Sequence, residues 1–307
     1  MRRLSLRASA ADAGARLDRF IAEKGGVSRG LARRALDAGG VFLDGHRIKV
    51  ASRIVRPGQE VVVNLEEGGR AAVAAAPLER SRLLYADEHL VAVDKPPFVP
   101  AQPTLTSDRG ALPELVAALL GAPVTIVHRL DRETSGVTVL ARTRAAAAAL
   151  SEAFRVGTPE KTYLALAARA PSPPDGRVDA PLGPDPSRPG RRAVLASGEA
   201  AVTRYRTTRT GPAGTALVVC QPETGRTHQI RAHLAHLGAP LLGDPRYGGP
   251  RRVLETSAPR VLLHARRLAL PHPVTGAPLL LEAPVPDDFL GVLRALVPAG
   301  TGEPETP

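Results

Sequence analysis

Residues 128–136 read His-Arg-Leu-Asp-Arg-Glu-Thr-Ser-Gly, a knot of ionisable side chains between two aliphatic runs at 124–127 and 137–140. Asp131 has Arg129 and Arg132 close by, and such cations favour the ionised carboxylate. That form suits a nucleophile better than a proton donor. A second reactive stretch, Gly-Arg-Thr-His-Gln-Ile-Arg at 225–231, carries Arg226, His228 and Arg231. Tyr163 stands in Lys-Thr-Tyr-Leu-Ala-Leu at 161–166. Taken singly, each has a plain structural explanation. An aspartate at a strand end commonly caps a turn, a tyrosine in an apolar run is usually core, and arginines usually lie on the surface.

The flanks of the first knot are β-branched and aliphatic, so they read as two buried strands that hold the segment between them rigidly. Residues 90–94 read as a buried strand ending at Lys95-Pro96-Pro97, where proline stops a ladder. Residues 112–120 and 144–154 read as helices, the second with Leu150 and Phe154 on its buried side. Residues 203–208 and 216–220 read as strands about a turn at 211–214. The Pro- and Gly-rich run 171–189 reads as a long surface connection.

The first 65 residues have a character of their own. Leu17, Phe20 and Ile21 have helical spacing within 16–24. Ser28 is a good N-cap for a second helix, with Leu31, Ala35 and Leu36 inward and Gly39 as its stop. Arg29 and Arg33 share one face of that helix, with Arg34 beside them. Asp44-Gly45 between 41–43 and 46–49 signals a hairpin with a type I′ turn. Arg56-Pro57-Gly58 turns the chain into a strand at 60–65. These residues hold 13 basic and 6 acidic side chains, +7 of the +11 carried by the whole chain. Such a balance favours a polyanionic partner.

At 307 residues the chain has room for one large and one small domain, and 43% hydrophobic residues support a core. No run approaches the length of a membrane span. The N-terminus lacks an apolar signal core, so a cytoplasmic location is expected. The single cysteine, Cys220, excludes an internal disulfide and a thiolate metal cluster, and reads as a small buried residue.

The knot HRLDRETSG resembles the active-site motif of the RluA-like RNA pseudouridine synthases. Residues 90–103 (LVAVDKPPFVPAQP), 160–165 (EKTYLA), 224–248 (TGRTHQIRAHLAHLGAPLLGDPRYG) and 263–273 (LHARRLALPHP) resemble the other family blocks in family order. RLDRFIAEKGGVSRGLARRAL, with VFLDGHRI and RPGQEVVV after it, resembles the small S-four-type RNA-binding domain. Phe98 and Gln102 depart from the family pattern, where a glycine and a histidine are usual.

The resemblance implies an α+β chain with a small N-terminal RNA-binding domain at 1–65 and a catalytic domain at 83–298; the Gly- and Ala-rich run 66–82, without periodicity, reads as a linker and 299–307 as a flexible tail. The catalytic domain is expected to have a mixed, mostly antiparallel sheet and a central cleft. The implied reaction isomerises uridine without cofactor or metal. Asp131 acts at the sugar, either by attack on the anomeric carbon or by deprotonation towards a glycal. Arg231 is its implied basic partner, with Arg226 as the alternative or as a phosphate contact. Tyr163 packs on the target base, and Arg129 fills the stack that the flipped base leaves. Leu140 or Ile230 lines the pocket. Structured RNA is the expected partner, large-subunit ribosomal RNA ahead of transfer RNA, gripped in part by Arg29, Arg33 and Arg34. A monomer is expected.

Other chemistries fit less well. A glycoside hydrolase needs an acid and a nucleophile; Glu133 would have to be the acid, in cationic surroundings that keep it ionised. His-Arg-Leu-Asp lacks the glycine-rich loop of a kinase. His228, His233 and His236 have few neighbouring zinc ligands. A non-catalytic RNA-binding factor would be expected to have lost Asp131, Tyr163 or Arg231.

Overall fold

The computed structural model describes residues 2–65, 76–107 and 109–298. It forms two compact units, Met1–Leu78 with Pro100–Gly121, and Glu79–Val99 with Ala122–Pro307. Pro100–Gly121, expected inside the catalytic domain, groups with the N-terminal residues. Residues 66–75 of the expected linker, and the expected tail, lie outside the described residues.

The N-terminal unit contains β1 (Arg2–Arg7), α1 (Leu17–Gly25), α2 (Arg29–Ala38), β2 (Val41–Leu43), β3 (His46–Arg47), β4 (Glu60–Leu65) and, later in the chain, α3 (Leu112–Leu120). Its sheet has the order β1-β4-β2-β3. The Ser28 hydroxyl accepts the Leu31 N–H to start α2, and Gly39 ends it in the left-handed conformation. Asp44 and Gly45 have φ of 49° and 80°, as a type I′ turn requires. The Asp44 carboxylate accepts from the Glu60 N–H and the Gln59 amide, tying hairpin to strand. β1 was not expected; its signal is the alternation of Leu4 and Leu6, which pair opposite Val63 and Val61. Phe20, Ile21, Leu36 and Val61 close the core, while Leu31, expected inward, is half-buried.

The larger unit carries β5 (Leu83–Ala86), β6 (Leu90–Lys95), β7 (Thr125–Ile126), β8 (Ser135–Ala141), α4 (Arg144–Val156), β9 (Glu160–Ala167), β10 (Asp175–Asp179), β11 (Leu182–Pro184), β12 (Arg192–Val194), β13 (Val202–Thr210) and β14 (Ala216–Pro222). After these come α5 (Gln229–His236), β15 (Arg252–Val253), β16 (Thr256–Ser257), β17 (Leu263–Pro271), β18 (Pro278–Glu282) and α6 (Asp287–Leu296). The main sheet runs β10-β13-β14-β9-β17-β8-β6-β5, with β18 also on β17 and β7 on β8. Only β17 with β8 is parallel, so the sheet is mixed and mostly antiparallel.

Alternation along the strands builds two faces. Ala165, Val218 and Cys220 pack under Ile230 and Leu234 of α5. Leu164, Leu166, Leu217 and Val219 point the other way, under Phe289, Leu293 and Leu296 of α6. Ala146 and Leu150 of α4 cover Leu90, Val137 and Val139.

Two expectations fail here. Of 124–127 only Thr125 and Ile126 form a strand, and neither is buried. The run 171–189 is not simply a surface connection: it contains β10 and β11, whose Val178 and Leu182 are buried. Its prolines fall mainly at strand ends and turns, where a missing N–H is tolerated.

Candidate active site

Asp131 opens the turn that leads into β8, with the Thr134 N–H donating to its carbonyl. All seven residues of β8 are buried, so the turn hangs from a fixed strand. Gly136, at φ +115°, lies so close to β17 that a Cβ would stand 2.2 Å from the Ala265 carbonyl oxygen. The glycine lets the parallel pair close beside the Asp131 turn.

Arg231 of α5 donates from Nη1 to Asp131 Oδ2 at 2.9 Å. Its Nε and Nη2 donate to the two oxygens of Asp244 at 2.7 and 2.9 Å. The guanidinium is 6% exposed and Asp244 1%. Burial opposes the charge on Arg231, but Asp244 and Asp131 outweigh it and hold the group firmly protonated. Tyr247 lies under the guanidinium, ring centroid 5.1 Å away. Its hydroxyl accepts the Arg192 N–H and sits 3.0 Å from His228 Nδ1. The other nitrogen of His228 is 3.9 Å from Asp131 Oδ2, and burial lowers the imidazole pKa.

Asp131, Arg231 and His228 share a cavity of about 500 Å³ with Arg129, Tyr163 and Lys161. Tyr163 and Lys161 are two apart on β9 and so share a face. Burial, and then the charge of Asp131, push the Tyr163 phenol above its ordinary value, so it keeps its proton. Burial lowers the Lys161 ammonium, which donates to the Thr224 carbonyl at 3.3 Å. His128 Nε2 accepts the Val139 N–H, and its ring stacks on Phe154 with centroids 4.2 Å apart. Burial, assisted by Lys161, pushes this imidazole down to about 3. Arg129 is exposed on the cavity wall and has no hydrogen bond or ion pair among the described residues.

Of the two candidate partners of Asp131, Arg231 makes the contact. The Arg226 side chain is turned to the Ala200 carbonyl and Glu199. Ile230 lines the cavity, whereas Leu140 is buried in β8 away from it. Glu133 is absent from the cavity wall. His233 spends both ring nitrogens on Thr203 and the Ala180 carbonyl. In the N-terminal unit Arg29 and Arg33, with Arg16, all bond the fully buried carboxylate of Asp18, while Arg34 is exposed. The arginines leave half of each side chain exposed.

Sequence reasoning missed three buried groups. Asp244 holds Arg231. Lys95 donates to the carbonyls of Pro96, Val99 and Arg132 at 3.1, 2.9 and 3.2 Å. Burial pushes its ammonium down to about 7. Arg260 donates to the Glu133 carbonyl, the Ser135 hydroxyl and both oxygens of Asp288. Asp244 stands in a block already singled out (GDPRYG), so it had a signal. Arg260 had none.

Residues 89–236 match the family model described as RNA pseudouridylate synthase, and residues 15–61 match the S4 domain. Ribosomal large subunit pseudouridine synthase D of Xanthomonas campestris pv. campestris is 37% identical over 305 residues, covering 92% of this chain and 89% of the relative. The chain belongs to the RluA family of RNA pseudouridine synthases. Dual-specificity RNA pseudouridine synthase RluA of Escherichia coli is 39% identical to this synthase over 209 residues, 66% of this chain and 92% of the relative. Among solved structures, Human RNA Pseudouridylate Synthase Domain Containing 4 superposes with a TM-score of 0.57 at 30% identity, covering 70% of this chain and 92% of that one. The synthase therefore joins an S4 domain to a catalytic unit built on a mixed sheet.

Proposed function

We propose that this synthase forms pseudouridine in large-subunit ribosomal RNA, and that Asp131 is the group acting at the sugar. The observation that carries the assignment is the Asp131 carboxylate, fixed by buried Arg231 and opening on the same cavity as Tyr163. The reaction breaks the bond between N1 and the anomeric carbon, turns the base, joins C5 to that carbon and moves the C5 proton. Nothing is oxidised or reduced. An ionised Asp131 starts either route, by attacking the anomeric carbon or by taking a proton from the sugar. Arg231 orients the carboxylate and balances its charge.

A uridine stacked in RNA is out of reach, so the base is flipped into the cavity. Arg129, exposed at the rim and unpaired, fills the vacated stack with its planar guanidinium. Tyr163 presents a ring to the uracil face and a protonated hydroxyl for the proton step. Arg29, Arg33 and Arg34 of the S4 domain contact phosphate. The enzyme works as a cytoplasmic monomer without metal or cofactor. Large-subunit RNA is favoured over transfer RNA because a relative matched over most of both chains is named for that RNA.

The test is to map pseudouridine across total RNA from cells with and without the protein. One or a few sites lost from large-subunit RNA are expected. Losses confined to transfer RNA would overturn the substrate assignment, and product from a verified Asp131→Asn enzyme would overturn the residue assignment.

A further inference from the structure

Among the described residues, one exposed large apolar side chain is aromatic: Phe98, 47% exposed. It is also one of few non-glycine residues with positive φ, at +68°. A side chain strains the backbone there, and a ring left about half exposed buries little in return. Glycine would relieve the strain and remove the apolar surface together. The stability of the folded chain therefore gives no reason for a phenylalanine.

The backbone under that ring is held firmly. The Phe98 N–H donates to the Arg132 carbonyl at 2.7 Å, and Arg132 Nε donates to the Phe98 carbonyl at 3.0 Å. Arg132 directly follows Asp131. Lys95, fully buried, ties the carbonyls of Pro96 and Val99 to that of Arg132 with one ammonium. These bonds to the main chain fix the Phe98 backbone beside the residue that follows Asp131.

We propose that Phe98 is a base-stacking residue that receives an unpaired nucleobase of the RNA beside the target uridine and so favours sites whose neighbouring base is unpaired. Every base offers a π-face to a phenyl ring, and a fixed ring loses little freedom on stacking. The chain has five phenylalanines, four tyrosines and no tryptophan, so a fixed exposed ring next to the site is a scarce resource. The inference needs RNA as substrate, which family membership supplies, and does not depend on which RNA it is.

Full-length wild type and the variants Phe98→Ala, Phe98→Gly and Phe98→Trp are assayed on total RNA from cells lacking the protein, reading pseudouridine formed per site. Loss of a stacked base should lower kcat/KM by roughly ten- to a hundredfold in the alanine and glycine variants. Their single-turnover rate at saturating RNA should stay near wild type, and the tryptophan variant should retain most of kcat/KM. The glycine variant should melt at or above the wild-type temperature, because glycine fits the left-handed backbone. Wild-type kcat/KM in the alanine and glycine variants would overturn the proposal. So would a fall in melting temperature of the glycine variant that tracks its activity, since the ring would then be structural.

Discussion

Asp244 does not line the cavity, yet the geometry predicts that activity depends on it. It takes two hydrogen bonds from Arg231, at 2.7 and 2.9 Å, and leaves the third guanidinium nitrogen aimed at Asp131. Asp244→Asn keeps the shape but turns one accepting oxygen into an N–H2 that faces a cation. Removing one partner of a buried ion pair costs about 3–5 kcal/mol. Here Asp131 still pairs with Arg231 and the amide oxygen still accepts one bond, so about 3 kcal/mol is expected. The freed guanidinium should also follow Asp131 less faithfully, and a misplacement of about 1 Å can cost about a hundredfold in rate. Urea unfolding should show a lower midpoint with an unchanged slope. Single-turnover pseudouridine formation should fall about a hundredfold while RNA affinity stays within about twofold. A folded Asp244→Asn enzyme reacting at the wild-type rate would refute the reasoning that Asp244 aims Arg231.

Asp131→Asn should abolish product without loss of fold or RNA affinity, checked by mapping product beside an unfolding curve. Tyr163→Phe keeps the ring and removes the hydroxyl; if that hydroxyl moves a proton, turnover should fall by roughly two to four orders of magnitude, whereas stacking alone would leave it near wild type. Gly136→Ala should misfold or lose more than about 3 kcal/mol, since its Cβ would meet the Ala265 carbonyl oxygen at 2.2 Å, and a wild-type melting temperature would refute this. His264 is pushed down to about 4, chiefly by burial, so the folded protein binds fewer protons there than the unfolded chain does. Stability should therefore fall as pH drops from about 6.5 to about 4, by up to about 1.4 kcal/mol per pH unit from this one group. Unfolding midpoints should show at least that slope, since burial also lowers His128 and His228, and His264→Asn should reduce it by this group's share.

Much of the fold was legible because local rules and tertiary structure agree. Ser28 caps α2, Gly39 stops it, and Asp44-Gly45 turns the hairpin. The apolar run at 216–220 read as a strand and lies within β14. Misreadings came where one local rule was given too much weight. The prolines and glycines at 171–189 hid two short strands whose buried residues, Val178 and Leu182, are few. Pairing made those strands, and pairing is a long-range property: β10 lies on β13, some 27 residues later. The grouping of Pro100–Gly121 with the N-terminal residues is also long-range. There Arg47 donates to the carbonyl of Thr104, a contact that no sequence window joins.

The candidate site was legible through its motifs, and its support was not. Asp131, Tyr163 and Arg231 stand out because the motifs around them resemble those of a known family; taken singly, each has a plain structural explanation. The groups that hold them were hidden, because lysine and arginine ordinarily signal surface. In this synthase three cations are buried around the turn at 131–135: Arg231 on the Asp131 carboxylate, Lys95 on the Arg132 carbonyl, and Arg260 on the Glu133 carbonyl and Ser135 hydroxyl. Asp244 and Asp288 answer the two arginines from the side away from the turn. A turn exposes carbonyls that neither strand nor helix can satisfy, and burying it without donors would cost free energy at each one. A long cation satisfies several such carbonyls at once and reaches them from elements far apart in sequence. The same bonds fix where the Asp131 carboxylate points. Rigidity at the Asp131 carboxylate and satisfaction of the turn's carbonyls are thus one requirement, met by side chains whose burial only the folded chain reveals.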